Sequence, residues 1–536
     1  MELRISHLDL VIIIAYLAGI VLVGCVAGWR QRRGMKVDSQ GYFLAGNSLT
    51  WPIIGMALFS TNISTAHIVS MAQEGYTNGM AWGNFEWMAS FTLIILALFF
   101  APFYIRSRVP TLPDFLERRY NRHCRDILAV ISIISAVFIH IGVTLYSGAV
   151  LLKGLFGLDI MFSIIVISVL TGLYTIIGGL LAVVLTESIQ TVILLVGAVC
   201  VTAAGLWRVG GWEGLTSHVT AVDMTVIRGG DDPSGMAWWG VFLGYPVIGI
   251  WYWCADQTIV QRVLGARDEN HARSGALFAG FIKILPVFLF VFPGLICKAL
   301  VSQGEFGPGP EDPAETFPYL VNHLLPVGLT GIVAAGLLAA LMSTVSGALN
   351  SIALLVSYDI VRRWRPQTSE PALVTIGRVV TFVAMVCAIL WSPLLGTKFN
   401  TLAQAAATMI CCIAPPITTI FLWGVFWRKA SAIAAGCTMW IGGLLGLIVF
   451  LMLFFEVEWW PIGFMMGAFY LFVVCSILLV VLSLIFPQAH TTESKSLVWS
   501  SFWEPLRSPG WPGLANYRVV AGILCVVMVG LYIYFS

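Results

Sequence analysis

An all-α polytopic membrane protein with fourteen transmembrane helices is the fold class this sequence predicts, on three observations. Of 536 residues, 59% are hydrophobic and only 10% charged, against roughly 25% charged in an ordinary soluble domain. Apolar runs of the ~20 residues needed to cross a bilayer as a helix recur along the whole chain. Lys and Arg gather on every second connection between those runs, the bias that marks the cytoplasmic side of a membrane. A soluble globular fold is excluded. The net charge of +2 says nothing about partners; those expected are the lipid bilayer and a small solute, with no nucleic acid.

The expected helices lie at 9–29, 51–74, 81–105, 126–152, 160–181, 184–207, 237–263, 275–302, 328–358, 373–395, 401–426, 431–454, 462–486 and 516–535. The first lacks a small-residue cleavage site after its apolar run and reads as a retained span rather than a signal peptide. Basic clusters follow alternate spans: Arg30, Arg32, Arg33 and Lys36; Arg106, Arg108, Arg118, Arg119, Arg122 and Arg125; Arg262, Arg267 and Arg273; Arg362, Arg363 and Arg365; Arg428 and Lys429. The intervening 75–80 has no Lys or Arg, and 302–320 has four acids and no base. Both termini are therefore expected outside a cell (plasma or inner) membrane. The long connections 208–236 and 487–515 are rich in Gly, Pro and Ser, and no soluble domain fits anywhere. Eleven cysteines form no CxxC or Cys/His cluster and read as small apolar packing residues.

Polar residues inside these runs are the functional suspects, because an unpaired polar group in lipid costs several kcal/mol. FSTNISTAHIVS (59–70) places Ser60, Thr61, Asn62, Ser64, Thr65, His67 and Ser70 in mid-span. Such a cluster is expected where a helix breaks, freeing backbone carbonyls and opening two half-helix ends to a cavity. GIWYWCADQ (249–257) carries Tyr252, Trp253, Asp256 and Gln257 in a similar setting. AALMSTVSGALNS (339–351) offers the neutral oxygens of Ser343, Thr344, Ser346 and Asn350, which suit a hard cation such as Na⁺. Its small residues also suit plain helix packing. Glu86, Lys283 and Glu187 are isolated ionisable groups. Glu187, near the cytoplasmic end of its span, has a snorkelling carboxylate as its plain reading. No Gly-rich phosphate loop, Ser/His/Asp set or HExxH is present, so no enzyme chemistry is expected.

The two polar-broken spans occupy corresponding places if helices two to six and seven to eleven are repeats. An odd number of spans separates them, so the second repeat enters from the opposite side, the inverted plan of a secondary transporter. The implied organisation is 1–50 as an extra helix with its cytoplasmic loop, 51–207 as the first repeat, and 208–236 as an extracellular loop. The second repeat is 237–426, and 427–536 holds three further helices, with a cytoplasmic loop at about 487–515.

At these residues the chain resembles the sodium/solute symporter family, and in particular its sodium–glucose cotransporter branch, from about residue 8 to 485. FSTNISTAH, GNFEWMA, GGLLAVVLTESIQ, WYWCADQTIVQR, FIKILP and LMSTVSGALNS look like family blocks in the family's order. The resemblance implies a LeuT-like five-plus-five inverted repeat with one extra helix before it and three after. It implies a sodium site from the carbonyls of Ser60, Ile63 and Ala340 and the hydroxyls of Ser343 and Thr344. A possible second sodium site would use Glu187 and Ser346; the family usually has Asp at the former position, and Glu is one methylene longer. In the sugar branch Asn62, His67, Glu86, Tyr252, Trp253 and Lys283 match positions that bond to or stack on the sugar.

Two departures stand out. Gly249 replaces a residue that is often polar, and the sugar-contacting Gln of the family falls on Ala407, with Gln404 one turn earlier on the same face. The expected function is Na⁺-coupled import of a hexose such as glucose or galactose by alternating access. The alternatives are symport of a polyol (inositol), sialic acid, an amino acid or a carboxylate, or a solute-sensing transceptor.

Overall fold

The computed structural model describes residues 6–34, 39–232, 234–395, 402–454 and 463–536. Among the described residues the secondary structure is helical, with isolated β-bridges and no strand. Eleven helices there are long and apolar enough to cross a membrane, and each of the fourteen expected segments contains helix. The counts differ because three expected spans do not stand alone. The 51–74 segment is broken, and its second half runs on into the next helix as His67–Ser107. The expected helices 160–181 and 184–207 are both present but meet at Gly179 without a loop, so that they run as one helical stretch, Ile160–Val209. The 237–263 segment is interrupted at Asp256, which leaves the shorter apolar helix Gly240–Ala255.

Ile160–Val209 turns at Gly179, which has φ 62° and ψ −157°, a conformation essentially reserved for glycine. A Cβ there would lie 2.4 Å from the Tyr42 carbonyl oxygen. The same glycine thus bends the segment and lets the short helix Ser39–Leu44 seat in the bend.

The helices sort into a centre and a rim. The most apolar stretch of Leu329–Trp364 is 94% buried within the protein, whereas those of His7–Arg30 and Tyr517–Tyr534 are 17% and 28% buried. Ile160–Val209 packs along Leu329–Leu355, and the His7–Gly34 helix lies across both. The first half of the broken helix, Trp51–Asn62, packs against Glu269–Ile282. Leu402–Phe426 carries Ala432–Phe454 and Phe464–Ile485 on its outer side. Peripheral helices present apolar side chains outward, as Val11, Ile14 and Leu22 do, which is the surface a lipid solvent requires.

Three arginines counted above among the connecting loops are not solvated. Arg119, Arg262 and Arg273 are at most 1% exposed. Arg119 donates to the carbonyls of Gly424 at 2.7 Å and Trp427 at 2.9 Å. Arg273 pairs with Glu269 at 2.6 Å and stacks on Tyr517 at 4.0 Å. The 487–515 connection is likewise docked: buried Trp499 donates its indole N–H to the Phe99 carbonyl at 3.1 Å.

Candidate functional site

Both expected breaks are present, and each is made by a polar residue that starts the next half-helix. Trp51–Asn62 stops because Ile63 (φ −84°, ψ 106°) and Ser64 (φ −98°, ψ 166°) are extended. Thr65–Asn78 restarts from Ser64, whose hydroxyl accepts the His67 N–H at 3.2 Å, an N-cap that satisfies an orphan donor. In the second broken helix a wide π-helical turn, Trp251–Ala255, precedes extended Asp256. The Asp256 carboxylate caps the Ile259 N–H at 3.2 Å and opens Gln257–Leu264. The central helix Leu329–Leu355, by contrast, is unbroken through its Ser/Thr run.

That run faces the first break. Ser343 donates its hydroxyl to the carbonyl of Ser60 at 2.8 Å and of Ala340 at 3.0 Å. Thr344 donates to the Thr61 carbonyl at 3.1 Å and the Ala340 carbonyl at 3.2 Å. Ser60, Ala340, Ser343 and Thr344 therefore lie together, with Ile63 at the break itself and its N–H held by the Phe59 carbonyl at 3.1 Å. All of these oxygens are neutral, and the carbonyls of Ser60 and Thr61 lie at a helix C-terminus, the negative end of the helix dipole. The donor set suits a bare monovalent cation. Thr61, singled out above as polar but not among the expected ion ligands, also reaches Glu187 with its hydroxyl at 3.0 Å.

The opposite side of the same break carries the second group. His67 Nε2 lies 2.5 Å from Glu86 Oε1, and Lys283 donates to both Glu86 and Asn62. Asn62 donates in turn to the Tyr252 hydroxyl at 3.1 Å. The Lys283 ammonium sits 5.6 Å from the ring centre of Trp253, which packs edge-on to Tyr252. Six of the seven expected solute-binding residues thus form one continuous network. Gln404 belongs to Leu402–Phe426, but its side chain, like that of Ala407, lies outside the described residues. Lys283 sits where the Glu269–Ile282 helix loosens, three residues before Pro286, which has no N–H to return to the preceding turn. The space beside Gly249 is filled, since a Cβ there would meet Thr92 at 2.7 Å and Tyr245 at 2.8 Å.

Glu187 does not snorkel. It is fully buried, and Arg262 reaches it with Nη2 at 2.5 Å and Nε at 3.3 Å. The guanidinium also donates to the Thr258 carbonyl and lies across Gly347, where a Cβ would be 2.3 Å from Nη2. Ser346 is close by in sequence to that contact and donates to the Ser343 carbonyl at 3.0 Å. Arg262 was read as a loop cation; the signal that could have found it was Glu187, an acid in an apolar span with no local partner.

Two broken helices, with neutral oxygens gathered on one side of a break and a network of polar side chains on the other, are the arrangement of a membrane carrier. The chain belongs to the sodium:solute symporter family, whose model matches residues 42–442. It is similar to sodium/glucose cotransporter 4 of Danio rerio, 32% identical over 83% of this chain and 72% of that protein. It is 34% identical to a sodium/mannose cotransporter of Bos taurus over 80% of this chain and 76% of that one. Sodium/myo-inositol cotransporter 2 of Oryctolagus cuniculus is 32% identical over 84% of this chain and 71% of that one. In backbone the chain matches the substrate-bound outward-open state of a Na⁺-coupled sialic acid symporter, with TM-score 0.78 over 91% of this chain and 100% of that one, at 20% identity. The fold is LeuT-like, and the protein is a sodium-coupled, multi-pass membrane transporter, not an enzyme.

Proposed function

We propose that the chain imports a hexose, such as glucose or galactose, together with one Na⁺ by alternating access. The observation that carries this reading is the identity of three consecutive residues at the first break. Ser60 and Thr61 turn their carbonyls to the oxygen set on the central helix, while the Asn62 side chain enters the Glu86–Lys283 network. An ion that orders the first two residues positions the third, so ion and solute tighten each other's binding by the same factor. The relatives named for glucose, mannose and myo-inositol support a polyhydroxyl solute. Asn, His, Glu and Lys serve hydroxyls, and Tyr252 and Trp253 cover a ring face. A polyol such as myo-inositol is the second reading, favoured by the relatives of that name.

The sodium site is assigned to Ser60, Ile63, Ala340, Ser343 and Thr344. Glu187 and Ser346 are the candidates for a second ion, but the Arg262 guanidinium already supplies the compensating charge there. Glu86 and Glu187 are each paired with a protein cation, so neither has a spare charge to offset that of the transported ion. One charge crossing 100 mV supplies about 2.3 kcal/mol. On this reading the two repeats are 51–207 and 237–426, and both termini lie outside a plasma or inner membrane.

The test is uptake of labelled glucose, galactose and myo-inositol into proteoliposomes, with and without an inward Na⁺ gradient. Sodium-driven accumulation of one of them is expected, with hyperbolic Na⁺ dependence. Ser343→Ala should raise the Na⁺ concentration for half-activation by about tenfold, the scale of one hydrogen bond to a charge, with little change in solute affinity at saturating Na⁺. Unchanged Na⁺ activation in that variant would remove Ser343 from the ion site.

A further inference from the structure

Away from the transport site, the densest collection of charge lies where the 106–125 connection meets the end of Leu329–Trp364. A cavity of about 540 Å³ there is lined by Arg108, Arg118, Arg122, Arg125, Arg362 and Arg363, against two acids, Asp114 and Glu117. The acids are already engaged. Arg125 takes Glu117 at 2.6 Å and Asp114 at 3.1 Å, besides Asp359 at 2.7 Å. Arg118 takes the second oxygen of Asp114 at 2.8 Å. Arg362 faces Glu370 at 3.2 Å, and Arg363 pairs with Asp126.

Arg108, Arg122 and one edge of the Arg363 guanidinium are left over. The side chains of Arg108 and Arg122 have no partner among the described residues, and the buried Nε of Arg363 is unbonded. Arg122 and Arg125 also repel Arg363. Arg108 is held with φ 49° and ψ 39°, a left-handed conformation uncommon for any residue but glycine. The turn is fixed there by Arg118, which donates to the Ser107 carbonyl at 2.7 Å. Crowded like charge with free N–H groups, in a concave wall of fixed geometry, is arranged for an anion. Guanidinium forks match the oxygens of phosphate in particular.

We propose that this cavity binds a phosphate group through Arg108, Arg122 and Arg363. The wall stands at the end of a membrane-spanning segment on the Arg-rich side, so the phosphate comes either from the headgroup of an anionic phospholipid in that leaflet or from a soluble phosphate compound.

The test uses the full chain in phosphatidylcholine nanodiscs at near-physiological salt, followed by thermal unfolding. One arm adds phosphatidic acid to about 20 mol% of the lipid, a composition chosen to supply anionic headgroups. The other adds millimolar inorganic pyrophosphate to plain phosphatidylcholine discs. A raised midpoint with the lipid assigns the headgroup, and one with pyrophosphate assigns the soluble compound. The R108Q/R122Q variant should weaken the effective ligand by about tenfold or more. The R428Q/K429Q variant, which removes two exposed basic residues outside the cavity, should respond as wild type does. The midpoint of R108Q/R122Q without ligand should match wild type, because neither side chain bonds within the fold; R122Q alone serves if it does not. No rise with either ligand, or a rise that survives R108Q/R122Q unchanged, overturns the proposal.

Discussion

Glu86 and Glu187 are both carboxylates buried in the membrane interior, at most 1% exposed, and each is held by one cation and one neutral donor or His ring. The cations differ. Lys283 is a compact charge with three rotatable donors, shared between Glu86 and Asn62, and it can pass one of those bonds to a solute hydroxyl. Arg262 is a rigid fork spent on Glu187 and the Thr258 carbonyl, laid flat against Gly347 with no room to turn. On the function proposed above, the Glu86 pair is the one that exchanges partners during transport. The Glu187 pair is built to stay.

The largest expected effect breaks the fixed pair. Arg262→Leu leaves a buried unpaired acid, a change that costs about 3–5 kcal/mol, and should abolish recovery of folded protein or sharply lower its unfolding midpoint. Glu187→Leu combined with Arg262→Leu removes both charges and should regain most of that loss, with Na⁺ activation still hyperbolic. Midpoints of the purified single and double variants decide it. A double variant as unstable as Arg262→Leu would mean that the pair does more than neutralise a charge.

Next comes the exchangeable pair. Lys283→Gln removes the ammonium, but Glu86 keeps His67 at 2.5 Å. Transport efficiency should fall by about 10- to 100-fold, the worth of about 1.5–3 kcal/mol of charged hydrogen bonding, while the midpoint falls less than in Arg262→Leu. Uptake kinetics and unfolding measured on the same preparations sharpen the contrast. Intact uptake with a collapsed midpoint would reverse the roles assigned to the two acids.

This contrast also marks how far the sequence was legible. Apolar run length and the alternation of basic loops were enough to locate helix in all fourteen segments, and polar residues in lipid were enough to find both breaks. Local chemistry therefore read well: Ser64 and Asp256 cap the half-helices that follow them. What failed was pairing over distance. Glu187 and Arg262 are 75 residues apart, and an arginine just past a broken helix looks the same in sequence whether it enters water or turns inward. Lys283, buried in an uninterrupted apolar stretch, offered no such ambiguity. The helices expected at 160–181 and 184–207 are both present within Ile160–Val209; they join without an intervening loop because only Gly179 leaves the helical conformation.

The smallest expected effect comes from a third acid–cation pair, in which the lysine is 33% exposed and water can screen the charge. Asp223, in the 208–236 connection, bonds Lys298 at 2.7 Å and the Thr220 hydroxyl and N–H at 2.8 and 3.0 Å. Burial pushes its carboxyl up, but Lys298 and the Thr220 donors together outweigh that and hold it below the usual carboxylate value. A depressed folded-state value means the ionised group stabilises the fold above the unfolded value of about 4. That contribution is lost as pH falls through the lower, folded-state value. Asp223→Asn should therefore be less stable than wild type at pH 7, by about 1 kcal/mol or less, with the gap closing on acidification below about pH 4 and narrowing in high salt. The deficit of Arg262→Leu should change little with the concentration of a sodium-free salt, because Glu187 is fully buried. A salt-insensitive gap at Asp223, or a salt-sensitive one at Glu187, would show that burial does not separate the outer pair from the inner one.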